Sequence, residues 1–401
     1  MSLEFDKVVL QVQQMGATIA NRSVTVAEQT RNAGQLLLTL NDLDAIWQQI
    51  HVARDKDAGF RGAAPFEEPI NVGFPLPEGP PLATILAADG SQIYPDLHGA
   101  ALYWLTNIGV FIYPHGSEEL PECITEPLLF YEDKDIRDPE GRVIANAAIN
   151  AHRSVYEMKM LAREALSHRH LPHPLLTIYD GPLLGFFMGK EVPNAAELTN
   201  DYFEAMTQLR DVGAVLAGYV DRPKSTFVVS TIYLMTLDAS EITRSRLQTA
   251  GSLEGLADRD VYQWILGPGD RCGLMIQQSP RNKEYKAYNA DLEIVFFYLN
   301  VAASHQEPYL VRVEIPMWVA RSQAMVDAVH ALVYAQCQIT DRFPYALTRA
   351  DEIAVVPSFD KRALDEMIAV ELFRHEQPVE MSKKLSTKGM ARHGRDQHRE
   401  S

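Results

Sequence analysis

Hydrophobic and polar positions change period several times along this 401-residue chain. Residues 3–52 follow helical spacing and read as two helices. Leu36, Leu40, Leu43, Trp47 and Ile50 recur at steps of four and three, an a/d-like stripe suited to packing on a domain or on a partner. Thr25 with Glu28 three residues later has the form of a capping box at the start of the second helix. Residues 53–81 are dense in proline and glycine and read as a linker or extended arm rather than core.

From Leu82 onward the apolar runs shorten. Leu82–Ala88 reads as a buried strand, followed by strands at 101–113 and Ile124–Tyr131. Ala148, Ala151, Val155, Met158, Ala162 and Ala165 then recur at steps of three and four, an amphipathic helix over about 145–168 with one face for a sheet. Leu175–Tyr179 is a fourth strand ending at Asp180-Gly181-Pro182, a helix spans about 196–217, and the β-branched run Ser225–Leu234 reads as a fifth strand. The order is β-β-β-α-β-α-β. Further strands are expected at 291–300 and 308–315, and helices at 318–338, 344–353 and 359–380. Such interleaving predicts an α/β fold, a mixed sheet flanked by helices, behind an N-terminal helical extension at 1–52. The tail 381–401 is polar and basic, and reads as disordered.

Composition alters this picture in two ways. With 46% hydrophobic and 22% charged residues the chain is an ordinary soluble globular protein, without a secretory signal or an apolar run long enough to span a membrane. Its three scattered cysteines form neither a disulfide framework nor a zinc set, so a reducing cytoplasm is the expected setting. The net charge of −16 opposes binding to nucleic acid by surface charge alone. A nucleic-acid enzyme of this charge needs a local basic channel, bound cations, or a partner that delivers the strand.

Candidate chemistry sits at the strand ends. Asp89 follows the first strand and Asp180 the fourth, each before a glycine, where the backbone can turn and present the acid. A third acid is expected on the helix before the fourth strand. That strand climbs roughly 16 Å at about 3.3 Å per residue, and the antiparallel helix rises about 1.5 Å per residue. Counting back about 11 residues from Ser167 or His168 reaches Glu157. Glu164, roughly 10 Å lower on the same face, is the reserve. Three converging carboxylates repel one another unless cations hold them, which points to one or two Mg²⁺ or Mn²⁺ ions. Two such ions activate water and stabilise the leaving oxygen in phosphodiester hydrolysis.

These residues carry a family resemblance. Ala88-Asp89-Gly90-Ser91-Gln92, Arg153-x-x-x-Glu157 and Tyr179-Asp180-Gly181-Pro182-Leu183 resemble the motifs of NurA-type nucleases. Ala217 to Ser225, Phe296 to Asn300 and Arg312 to Pro316 are similar too, so that the resemblance covers roughly 82–358. It implies an RNase H-like fold, Mn²⁺-dependent DNA cleavage, a homodimer, and work with a HerA-type hexameric ATPase in DNA end resection. It also implies that Asp89, Glu157 and Asp180 are the metal-binding acids. Near the C-terminus the chain departs from the family pattern. Phe343-Pro344 stands for Tyr-Pro, and Ala350-Asp351 for Ala-His, so that Asp351 takes the place of a metal-site histidine. A carboxylate there can still bind Mg²⁺ or Mn²⁺.

Other features were weighed against plainer roles. Arg222 and Lys224, before the expected fifth strand, are candidate DNA-phosphate contacts. Asp270-Arg271 reads as a further substrate-side loop. His168, His170 and His173 read as a solvated loop, and Asp133, Asp135 and Asp138 as a hairpin tip. No P-loop is present, which suits a nuclease whose motor is a separate protein. Two alternatives remain open at this level: a non-catalytic NurA-like adaptor of the ATPase, and an actin-like or sugar-kinase-like ATPase.

Overall fold

The structure, a computed structural model, describes residues 4–185, 192–304 and 306–377; the basic tail lies outside the described residues. The chain divides into two compact units. The first is built from Met1–Ala83, Leu171–Leu184 and Gly213–Tyr345, the second from Thr84–His170, Gly185–Val212 and Ala346–Ser401.

In chain order the first unit begins with α1 (Val9–Leu38), α2 (Leu43–Lys56), β1 (Gly62–Pro65) and β2 (Gly73–Phe74). The second unit follows with β3 (Ala83–Ile93), β4 (Trp104–His115), β5 (Glu122–Phe130), α3 (Asp133–Ile136) and α4 (Asn146–His168). The first unit resumes for β6 (Leu175–Asp180), and the second for α5 (Ala195–Asp211). Next come β7 (Val215–Val220), α6 (Phe227–Leu234), α7 (Arg244–Leu247), α8 (Asp258–Tyr262), β8 (Arg271–Cys272) and β9 (Met275–Gln278), all in the first unit. That unit closes with α9 (Pro280–Tyr288), β10 (Ile294–Asn300), β11 (Leu310–Pro316), α10 (Met317–Ala320) and α11 (Gln323–Ile339). Finally α12 (Tyr345–Ala354) and α13 (Ser358–Arg374) complete the second.

Within the first unit the strands run in the order β1-β9-β10-β11-β7-β6. The β6–β7 pair is parallel and the pairs from β7 to β1 are antiparallel, so the sheet is mixed. Every residue of β10 and β11 is buried; the apolar run Ile294–Leu299 of β10 suits a strand covered on both faces, and β11 buries Arg312 and Glu314 as an ion pair at 2.8 Å. Within the second unit β3, β4 and β5 lie side by side. The predicted stripe of α4, from Ala148 to Ala165, is buried throughout, and α4 packs against β4 and α5.

Four expectations need correction. The helix boundary falls at residues 39–42, not at Thr25, which lies inside α1. Asp42 starts α2 by accepting a hydrogen bond from the N–H of Ala45 at 3.0 Å, a side-chain cap that sequence spacing did not single out. The stretch expected as a linker instead supplies β1, fully buried and paired with β9, and β2, paired with β8. Glycine and proline there mark a close-packed sheet edge rather than a free arm.

The run Ser225–Leu234 holds helix α6, not the fifth strand; that strand is β7, which cuts the helix expected at 196–217 short at Asp211. Five of the eight α6 residues are buried, and packing outweighs the β-branched preference. The carboxylate of Asp258 accepts the N–H groups of Phe227 and Val229, both at 2.9 Å, so the first turn has partners despite burial. Lastly, β3 does not stop at Asp89 but continues to Ile93.

Candidate active site

Asp89 stands inside β3, half-buried, with its Oδ1 accepting the Gly90 N–H at 2.7 Å. Strand alternation sends Asp89 and Ser91 to one face of β3, and Gly90 and Gln92 to the other. Helix α12 covers the first face. Its last carbonyl, that of Ala354, accepts hydrogen bonds from Ser91 Oγ and from Asn107 Nδ2 on β4. Gly109 on β4 permits this approach, since a Cβ there would lie 2.7 Å from both Ala350 O and Ala354 N. The same docking brings the exposed Asp351 carboxylate beside Asp89, close enough for the two charges to act on each other.

Burial, with the Asp351 carboxylate beside it, raises the Asp89 carboxyl above the ordinary carboxylate range; the Gly90 N–H and the Arg153 charge act in the opposite direction. A carboxylate beside another favours taking up a proton or a cation.

Helix α4 covers the other face. Arg153 donates to Gly90 O at 3.2 Å and Gln92 Oε1 at 3.1 Å, and its Nε lies 3.1 Å from Glu157 Oε1. Glu157 is buried, 4% exposed. A Cβ on Gly90 would stand 2.7 Å from Arg153 Cγ, 2.8 Å from Glu157 Oε1 and 2.9 Å from Ile108 Cδ1. Gly90 is therefore needed for close approach, not for the sharp turn expected from the sequence. Glu157 reaches the backbone beside Asp89 through the gap this glycine leaves, while Asp351 meets Asp89 from the opposite side. Glu164 is also buried, but it pairs with Arg163, which holds Glu126 of β5.

Asp180 belongs to the first unit. It is the exposed last residue of β6, opposite Tyr219 of β7, and Gly181 follows with φ +107°, the turn that was expected. Among the described residues no three His, Cys, Asp or Glu side chains are gathered closely enough to form a metal-ligand set.

A family model, the NurA domain, matches residues 83–356. The chain belongs to the NurA domain family. Its fold resembles the crystal structure of the NurA nuclease from Sulfolobus solfataricus, with 10% identity, TM-score 0.51, and coverage of 94% of this chain and 98% of that one. A second NurA crystal structure aligns at 10% identity and TM-score 0.40, over 80% of this chain and 94% of the other. The catalytic domain of human Endonuclease V aligns at 11% identity and TM-score 0.31, over 81% and 98%. No curated protein matches the chain.

In this NurA domain the other candidates separate. Arg222 and Lys224 follow β7 rather than precede a strand. Arg222, with φ 41°, donates from Nε to Tyr309 Oη at 3.0 Å, and that hydroxyl donates to Asp221 at 2.7 Å. Lys224 is exposed and, among the described residues, makes no ion pair. Arg271 is structural: it is 2% exposed and donates twice to Glu68, at 2.7 and 2.8 Å. His168 ends α4 with Nδ1 at 2.8 Å from Glu164 O, and Asp138 closes a turn by accepting from the Arg142 and Glu140 N–H groups. The cysteines are free, with Cys123 exposed and the other two buried. Among the described residues no helix is long and apolar enough to cross a membrane. Sequence spacing gave no sign of Ser91, Asn107 and Gly109, which seat α12; each looks like an ordinary strand residue.

Proposed function

We propose that this NurA domain protein is a metal-dependent nuclease that hydrolyses DNA phosphodiester bonds. The observation that carries this is the placing of the Asp351 carboxylate beside the half-buried Asp89, whose carboxyl is raised by burial and by that neighbour. An all-oxygen donor pair of this kind fits Mn²⁺ or Mg²⁺. Asp89 and Asp351 would hold the metal, and likeness to the family motifs would add Glu157 and Asp180. The metal, as one ion or two, would supply Lewis-acid stabilisation of charge on phosphate oxygens and a more acidic bound water. Arg153 fixes Glu157 and the β3 backbone. The Gly90 N–H orients the Asp89 carboxylate, and α12 sets the position of Asp351. Family likeness supports the rest of the reading: a cytoplasmic homodimer acting in DNA end processing with a HerA-type hexameric ATPase.

A direct test incubates the protein with linear single- and double-stranded DNA in Mn²⁺, Mg²⁺ or EDTA, alone and with the ATPase. Cleavage should need the metal and should fall at least about 100-fold in Asp89→Asn and in Asp180→Asn. Cleavage absent in every combination, or unchanged in both variants, refutes the assignment. The Arg153–Glu157 ion pair, which occupies a prospective ligand, favours one second reading: a non-catalytic adaptor of the ATPase. That reading predicts binding to the ATPase with no cleavage under any metal.

A further inference from the structure

We infer that Glu314 and Tyr285 are positioning residues for Asp180, clamping the turn that carries it through both backbone groups of Leu183. The Leu183 N–H donates to Glu314 Oε2 at 2.8 Å, and the Leu183 C=O accepts from Tyr285 Oη at 2.9 Å. Both side chains come from distant elements of the first unit, β11 and α9, and both residues are 0% exposed. Arg312, two residues away on the same face of β11, holds the Glu314 carboxylate at 2.8 Å. Glu314 stands opposite Gly218 of β7, where the absent side chain leaves room for the turn. A Cβ at Gly218 would lie 2.7 Å from Gly181 O and 2.8 Å from Leu183 Cγ. The Gly181 N–H donates to Tyr219 O at 2.8 Å, so the turn is pinned at 181 and again at 183, with Asp180 exposed just before it.

The chemistry gathered here exceeds what a turn requires. Gly181, at φ +107°, and the fixed ring of Pro182 already reverse the chain. A lone backbone N–H needs no more than a neutral acceptor, yet this one meets a buried carboxylate whose desolvation calls for a buried arginine. Such a pair adds little net stability, because desolvation offsets its attraction. A charge-assisted bond in a dry interior does, however, hold one geometry tightly. What stands within reach of that rigidity is Asp180, three residues before the clamped amide. A reacting or ligating carboxylate depends on such support, since a displacement of about 1 Å can cost much of the activity. The inference rests on the reading of Asp180 as an acid of the nuclease site.

Two double variants separate the clamp from the ion pair. Arg312→Met with Glu314→Met removes both charges and the acceptor, whereas Arg312→Met with Glu314→Gln removes the charges and keeps an acceptor for Leu183. Amide hydrogen exchange in EDTA reads the turn without metal or cleavage. At Gly181, whose own hydrogen bond is untouched, exchange should quicken about 10-fold in the first double variant and return most of the way in the second. Tyr285→Phe, which removes a single hydroxyl, should quicken it about 5-fold, and serves if the double variants fold poorly. The Gly269 N–H, bonded to Asn300 O at 2.9 Å in the same unit, reports general loosening and should change far less. With Mn²⁺ and DNA, kcat should fall about 10-fold in the first double variant at unchanged KM, and recover in the second. Exchange at Gly181 that is unchanged, or rises no more than at Gly269, overturns the clamp. Faster exchange with kcat intact overturns its role in positioning Asp180. If Asp180→Asn leaves cleavage unchanged, the nuclease reading of Asp180 itself fails, and the exchange rates still decide whether the clamp holds the turn.

Discussion

Replacing Gly90 by alanine tests the geometry of the site through a single methyl group. The new Cβ would meet Arg153 Cγ, Glu157 Oε1 and Ile108 Cδ1, each closer than 3.0 Å. Burying a methyl contributes about 0.8 kcal/mol, and removing glycine's freedom from the unfolded chain contributes about 0.5–1 kcal/mol. Overpacking against three atoms costs up to about 3 kcal/mol, for a net loss of about 1–2 kcal/mol. The cheapest relief is withdrawal of the Glu157 carboxylate, the far end of a flexible side chain. Mn²⁺ affinity should consequently fall about 10-fold or more, beside that modest loss of stability of about 1–2 kcal/mol.

Gly109→Ala is the matched control for steric cost. There the obstructing atoms are backbone, Ala350 O and Ala354 N, which no rotamer change can move. It should destabilise by about 3 kcal/mol, displacing α12 and Asp351 with it. Denaturant unfolding measures the stability, and calorimetric Mn²⁺ titration the affinity. If Gly90→Ala keeps wild-type Mn²⁺ affinity and cleavage, Glu157 does not act through this gap and the site as drawn is wrong.

The choice between the two buried glutamates of α4 has its own test. Glu157→Gln should abolish the rise in melting temperature that Mn²⁺ gives, whereas Glu164→Gln, which loosens only the Arg163 pair, should keep it; the opposite pattern moves the site down the helix. Asp258 is fully buried, and burial outweighs its hydrogen bonds to raise its pKa from 3.8 to about 6. A raised acid favours folding below its unfolded pKa, and that advantage is lost as pH rises through the folded value. Stability should therefore drop by about 2 kcal/mol between pH 4 and 7 on this account. Asp258→Asn should remove that component of the slope in pH-dependent unfolding, and an unaltered profile would show that Asp258 titrates normally.

What the sequence made legible divides by physical origin. The buried face of α4 could be read position by position, because an amphipathic helix against a sheet must repeat near 3.6 residues. Strand β10 was visible as an apolar run. Helix α6 was not, because its first turn is satisfied by Asp258, an acid more than twenty residues away, and its β-branched residues are held by packing. Strand β1 hid among prolines and glycines, though Thr231 on α6 binds both the N–H and the C=O of Ala63 at 2.9 Å. In the site, spacing and rise singled out Asp89 and Glu157, but the faces from which they approach β3 depend on the docking of α4 and α12. Asp351 was reached only through likeness to a family pattern. Its neighbours Ser91 and Asn107 carry no sequence mark, since holding one helix-end carbonyl requires only a hydroxyl and an amide in the right place.

Asp351 lies beside Asp89, and the effect of its charge has a calculable direction. With Asp351 present, the metal-free site holds Asp89 under repulsion, and the Asp89 carboxyl is raised by burial and by that neighbour. The stability gained from holding the proton is complete below the unfolded carboxyl range and is lost as pH rises through the raised folded value. Once that proton is lost the metal-free protein bears the repulsion, and a divalent cation relieves it. Asp351→His replaces the carboxylate with an imidazole that is largely neutral at pH 7. Asp89 should then titrate at lower pH, the metal-free protein should melt higher, and Mn²⁺ should raise the melting temperature less. Carboxyl chemical shifts followed by NMR against pH, with melting curves in EDTA and in Mn²⁺, measure all three. If Asp89 titrates at the same pH in the variant, the Asp89–Asp351 contact does not govern the site, and the metal reading loses its principal support.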